Sequence, residues 1–315
     1  MAASVLNAPH FQCEDAAFAY VESRLWPNGP VCHHCDNADP KRLRRMAGKT
    51  TRKGLIKCYA CGKPFTVRMG TIFESSHLPL HLWLQVIHLM CASKKGISTR
   101  QIQRMLSCSM KTAWQLTHRI REAMRSGELS PLGGAGKTVE IDETIIGKVE
   151  GAPKDASFKG SNFRNIVLTL VERGGAARSW HVDGCTMGTL MPIIRANIAK
   201  ETAVITDEAS WYRNLKVNVS VASHDAVNHA VKEYARYEGE RVISTNTVEG
   251  FYGVFKRGMK GVYQHCGERH LHRYLAEFDF RYSNRAKLGI DDKAAADLAL
   301  LGVVGKRLTY QTARN

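Results

Sequence analysis

The sequence has no apolar run approaching the ~18 residues of a membrane-spanning helix and no basic-then-apolar leader at its start. Neither export nor membrane insertion is indicated, and a cytoplasmic protein is expected. Acidic residues are scarce: 29 Asp and Glu stand against 45 Lys and Arg, leaving a net charge of +16 and a pI near 9.6. A chain so cationic attracts polyanions, nucleic acid first among them, although composition alone also suits a ribosomal or membrane-surface protein. Apolar residues are not lacking: 44% of 315 residues leaves room for two or three packed domains.

In that compartment the nine cysteines are expected to be reduced. Four form two CxxC pairs, Cys32 with Cys35 and Cys58 with Cys61, separated by 22 residues. This is close to zinc-ribbon spacing, in which each pair caps a hairpin and four thiolates close a tetrahedral site for one structural Zn2+. His33 or His34 could replace a thiolate, but an all-cysteine site is the expectation, with the histidines on the knuckle surface. Between the pairs the chain is strongly basic, and Arg44 and Arg45 are candidates for phosphate contact. Cys13, Cys91, Cys108, Cys185 and Cys266 are scattered and read as small buried hydrophobes.

Helical spacing of apolar residues follows from Leu80 to Met90. A weak capping box at Ser98 predicts a short helix through Ile102 to Leu106, a turn over 107–109 and a further helix from Met110. Helix, short turn, helix is the layout of a helix-turn-helix, and Lys111, Gln115, His118 and Arg119 on the last element are its candidate DNA-facing residues. A Gly-rich break, Pro131 to Gly136, ends this arm.

Strand texture then begins. The pattern predicts strands at 138–142, 165–172 and 179–183, a helix at 187–199 and a fourth strand at 203–206. This β-β-β-α-β order is that of an RNase H-like fold, an α/β architecture in which the helix returns the chain parallel to the first strand. Asp142, in VEIDETIIG, and Asp207, in AVITDEASWY, close apolar β-branched runs and would stand side by side. Glu143 and Glu208 would point elsewhere under strand alternation. A helix beginning near Asn246 carries Asn246, Glu249, Gly253 and Lys256 on one face. Three carboxylates so placed, Asp142, Asp207 and Glu249, could hold two Mg2+ (or Mn2+) ions for phosphodiester chemistry, with Lys256 and Arg257 near phosphates and Gly253 allowing close approach of DNA. His224 and His229 are histidines of undecided role. Trp211 with Tyr212, and Phe251 with Tyr252, read first as core packing.

The two CxxC pairs, IDET at Asp142, TDEASWY at Asp207, SHDAVNH at 223–229, and NTVEGFYGVFKRGMKGVYQH followed by LHRYLAEFDFRYSNR together resemble a family. The chain is similar to DDE transposases of bacterial insertion sequences, in the zinc-ribbon-bearing ISXO-type branch related to Merlin elements, over roughly residues 15–285. The family pattern allows Asp-Asp-Glu or Asp-Asp-Asn, so Glu249 and Asn246 both fit the third position. Glu249 is chosen because a carboxylate offsets metal charge, with Asn246 and His224 as supporting groups.

The expected organisation is a helical lead-in (1–27), zinc ribbon (28–70), helix-turn-helix (77–126), RNase H-like catalytic domain (137–290), and C-terminal helix with a basic tail of unassigned role (291–315). The resemblance implies a nucleoid-associated protein that binds terminal inverted repeats on double-stranded DNA. It would hydrolyse a phosphodiester at an element end and join the freed 3′ hydroxyl to target DNA, without a covalent enzyme intermediate. Pairing two ends implies a homodimer or larger assembly. The alternatives are a non-catalytic DNA-binding regulator derived from a transposase and an RNase H-like nuclease.

Overall fold

The computed structural model describes residues 4–125, 127, 130–151, 163–228, 231, 233–239 and 241–309. In chain order these form α1 (Pro9–Gln12), α2 (Glu14–Leu25), β1 (Leu43–Arg45), β2 (Ile56–Cys58), β3 (Pro64–Phe65), α3 (Leu80–Ala92), α4 (Thr99–Leu106) and α5 (Met110–Met124). They continue with β4 (Thr138–Ile146), β5 (Asn165–Glu172), β6 (Ala177–Val182), α6 (Met187–Asn197), β7 (Ala203–Asp207), α7 (Leu215–Val219) and β8 (Ser223–Val227). The last elements are β9 (Arg236–Glu238), β10 (Arg241–Ile243), α8 (Asn246–Gly258), α9 (Leu271–Ser283) and α10 (Asp292–Leu301).

The chain divides into two compact units, one of residues 1–125 with 291–315 and the other of 126–290. The first contains the small antiparallel sheet β1-β2-β3 and a helical part. Ser98 caps α4 by accepting from the Gln101 N–H, and Ser109 caps α5 by accepting from that of Thr112. Ser107, in the left-handed region at φ 49°, ends α4, so a three-residue connection turns the chain between two helices that pack together. Helix α10 packs against α2, α3 and α5, which gives the segment of unassigned role a structural one. Among the described residues no helix is long and apolar enough to cross a membrane.

The second unit is built on one mixed sheet, ordered β6-β5-β4-β7-β8. Strand β5 runs antiparallel to both β4 and β6, whereas β7 is parallel to both β4 and β8. Alternation sorts β5 between two layers: Ile166, Leu168 and Leu170 join the core beneath α6, and Val167 and Val171 the core beneath α8 and α9. All eight residues of β5 are buried, as expected of a strand covered on both faces.

Two elements differ from the sequence pattern. Strand β4 runs on to Ile146, because β5 pairs with it from Val139↔Glu172 to Ile146↔Asn165, whereas the polar Asp-Glu pair made the run look finished at Asp142. The fifth strand, β8, lies in the SHDAVNH motif, whose polarity hides its strand character; its last residue, His229, lies outside the described residues.

Candidate active site

Asp142 and Glu140 project to the face of β4 that α8 covers, since Ile146, in phase with them, joins the α8 core and Val139 and Ile141 the opposite one. The parallel ladder pairs Glu140 with Ile205; two residues on, the same register sets Asp142 beside Asp207 at the end of β7. Glu249 lies in the first turn of α8, where the helix dipole favours an acid. Its Oε1 accepts a bond from the Thr245 hydroxyl at 2.8 Å. Asp142 Oδ1 accepts the Glu143 N–H at 2.8 Å, and Asp207 Oδ1 the Ala209 N–H at 3.1 Å.

The electrostatics tie these groups together. Burial, then the charge of Asp207, pushes the Asp142 carboxyl up to about 7; Glu249 adds to the rise, and Lys256 and the Glu143 N–H oppose it. A carboxyl whose proton affinity is raised by the acids around it marks a place that favours a cation. The residues present therefore suit a hard divalent ion, for which carboxylate oxygen is the preferred donor.

Glu143 points to the other face of β4 but stays near the cluster. Its Oε1 accepts bonds from the Tyr212 hydroxyl and, at 3.1 Å, from Trp211 Nε1. Burial first, then the Asp142 and Asp207 charges, push it up to about 8. The aromatic pair thus anchors the segment that follows Asp207. Burial and the charges of Glu143, Asp207 and Asp142 also raise the Cys185 thiol, to about 11, placing this cysteine beside the acids, where spacing alone gave no sign of it.

The other site expectations fall in different places. Asn246 is exposed at the start of α8. Lys256 is half-buried on that helix and Arg257 is exposed. A Cβ at Gly253 would meet only the Arg257 guanidinium, at an ordinary 3.5 Å, so nothing in the described chain requires glycine there. His224, on β8, pairs through Nε2 with the Thr206 hydroxyl at 2.9 Å. Lys111 is exposed and Gln115 half-buried. Arg45 pairs with Glu22 at 2.6 Å, while Arg44 is exposed opposite Lys57, two like charges facing across β1 and β2.

Arg119 requires a correction. It is 7% exposed, and its guanidinium donates to the carbonyls of Ile72, Glu74 and Leu308 at 2.9 to 3.0 Å. A group held in this way braces its own unit and is not presented to DNA. His118 on the same helix is fully buried.

The four paired cysteines converge, with every Sγ within 4.8 Å of the others. Cys32 and Cys61 are 3.7 Å apart, and Cys35 and Cys58 3.8 Å. A tetrahedron with ~2.3 Å Zn–S bonds has edges of ~3.8 Å, so the donor set fits structural zinc. The histidines are placed otherwise: His33 packs where a Cβ on Gly70 would be, and His34 Nε2 lies 3.3 Å from the Pro64 carbonyl.

Residues 131–283 match the ISXO2-like transposase domain, and residues 12–64 match the transposase zinc-ribbon domain. The chain belongs to the IS1595-type transposases. No curated protein matches it. The first match contains the whole mixed sheet of the transposase together with α8 and α9, and the second contains all four thiol ligands. Helices α3 to α5 lie outside both matches. The family makes this a DNA-binding protein of an insertion sequence.

Proposed function

We propose that this transposase binds the terminal inverted repeats of its element and catalyses metal-dependent DNA cleavage and strand transfer, with Asp142, Asp207 and Glu249 as catalytic carboxylates. The observation that carries the reading is the electrostatic coupling of Asp142 to both other acids, which come from an adjacent parallel strand and from α8. Glu249 is preferred to Asn246 as the third group because its charge reaches Asp142 and Thr245 holds its carboxylate. The sheet order, three antiparallel strands followed by two parallel ones, supports an RNase H-like assignment for the second unit. Helices α4 and α5 are read as a helix-turn-helix, with Lys111 and Gln115 facing DNA.

Asp142, Asp207 and Glu249 would hold Mg2+ or Mn2+, which when bound would supply positive charge for phosphodiester cleavage and joining. The chain's own residues do the remaining work. Asp142, Asp207 and Glu249 fix where that charge sits, and Lys256 and Arg257 hold DNA phosphates beside it. Asn246 and His224 support the carboxylates from α8 and β8. Arg44 and Arg45 bind backbone phosphate without reading sequence. Two such chains pair the two ends of the element.

A strand-transfer assay with Mg2+ on the element's own ends tests this, run beside Asp142→Ala, Asp207→Ala and Glu249→Ala. The expected result is loss of joined product in all three variants with end binding retained. Joining by any of the three at the wild-type rate overturns the assignment of that residue. Hydrolysis without joining by the wild type would favour a nuclease instead.

A further inference from the structure

Glu140 is the one fully buried carboxylate on the strand that carries Asp142, and all of its hydrogen-bonding capacity is engaged. Oε1 accepts from Arg173 Nε at 2.6 Å and from the Thr247 hydroxyl at 2.7 Å. Oε2 accepts from the main-chain N–H groups of Thr247 at 2.7 Å and Val248 at 2.9 Å. An ionised carboxylate offers about four lone-pair positions, so none is left for a metal ion. Glu140 is 0% exposed, which makes this a buried charge satisfied on every side.

The partners explain why it is there. Thr247 and Val248 are the second and third residues of α8, and the residue at the N-cap, Thr245, makes no side-chain capping bond to the helix backbone. The cap is supplied from β4 instead, with a full negative charge at the positive end of the helix dipole. Thr245 is thereby released to hold Glu249 Oε1. Arg173 extends the arrangement upstream, donating to the carbonyls of Val242 and Ser244 and to the Ser244 hydroxyl. The chain is thus fastened on both sides of Thr245, to a strand position two residues from Asp142.

Resting on the active-site reading above, we infer that Glu140 is a positioning residue: with Arg173 it docks the start of α8 onto β4 and so sets the placement of Glu249 relative to Asp142. A displacement of about 1 Å in such a centre costs on the order of a hundredfold in rate. The inference therefore concerns metal affinity as well as turnover. Glu140→Gln keeps the shape but sets an amide NH2 against donors. Thr247→Val removes a single bond and leaves the backbone contacts in place.

The test uses the full chain, with Mn2+ binding followed by calorimetry, alone and on a duplex carrying one element end, and with the Mn2+ requirement for cleavage measured in parallel. Glu140→Gln is expected to raise the half-saturating Mn2+ concentration at least tenfold and Thr247→Val severalfold, with end binding within twofold of wild type and cleavage partly restored at high Mn2+. Wild-type Mn2+ dependence in either folded variant, or a loss that follows only the fraction of unfolded protein, overturns the proposal. If Glu140→Gln does not fold, Thr247→Val decides. Asp142→Asn separates the two readings: if it cleaves like wild type, the active-site assignment itself fails. If it is inactive while both other variants keep the wild-type Mn2+ dependence, only the positioning role fails.

Discussion

The hydroxyl of Tyr252 donates to the main-chain carbonyl of Asp142 at 2.6 Å and to that of Val167 at 3.2 Å. One phenol on α8 therefore holds the backbone of a proposed catalytic residue and ties it to the neighbouring strand. It does so one helical turn from Glu249, on the face of α8 that packs into the core. Tyr252→Phe keeps the packing and deletes both bonds. It should cost about 1–2 kcal/mol of stability in chemical denaturation and lower cleavage about tenfold, with DNA binding unchanged.

Asp142→Asn removes a carboxyl that repels Asp207 and Glu249. Without divalent metal the variant should melt at a higher temperature than wild type, because the crowding of charge is relieved. Added Mg2+ should raise the melting temperature of the wild type and not that of the variant. A variant that melts lower than wild type in Mg2+-free buffer would contradict the electrostatic account.

Asp279, half-buried on α9, accepts bonds from the Ser179 N–H and hydroxyl, yet desolvation pushes its carboxyl up to about 7, against the effect of those bonds and of Arg178. The folded state keeps a proton that the unfolded chain releases above pH ~4. This contribution to stability is therefore full below pH ~4 and is lost as pH rises through about 7. Asp279→Asn should flatten that slope in urea titrations across the same window.

Zinc removal should act on the first unit. The ribbon core has four buried residues, Cys32, Ile56, Cys58 and Phe65, with Trp26, Leu43, Cys61 and Met69 partly buried against them, too few to hold β1 to β3 without the metal. A chelator should release one zinc per chain and abolish end binding. Mg2+-induced stabilisation of the 126–290 unit should persist.

Arg119 and Lys111 lie on the same helix, but their substitution should read out differently. Arg119→Ala leaves three carbonyls without their donor and should cost roughly 2–4 kcal/mol. Lys111→Ala should leave stability within about 0.5 kcal/mol and reduce the salt dependence of DNA binding by about one phosphate contact.

The sequence carried the positions of the acids more clearly than their supports. Asp142 and Asp207 end β-branched runs, and a helix connecting the strands implies that those runs lie parallel; the zinc ligands are legible from spacing alone. Glu140 was missed because an acid between Val139 and Ile141 looks like a solvent-facing strand residue, and its partners come from a helix more than a hundred residues away. Arg119 was misplaced because Lys111, Gln115 and Arg119 follow i, i+4 spacing, which suggests one wet stripe. From Leu116 to Arg121 every residue of α5 is buried, covered by parts of the chain as distant as Leu308. Local periodicity gives no sign of such cover.

The packing of α10 against α2, α3 and α5 has a consequence for synthesis. These three helices emerge from the ribosome early, and the one that covers them emerges only after all of 126–290 has been translated. The sheet unit can therefore complete its fold while the first unit is still open along α3. A message cut short just after residue 290 would yield a finished sheet attached to an unsealed helical bundle, a product suited to aggregation or proteolysis rather than to transposition.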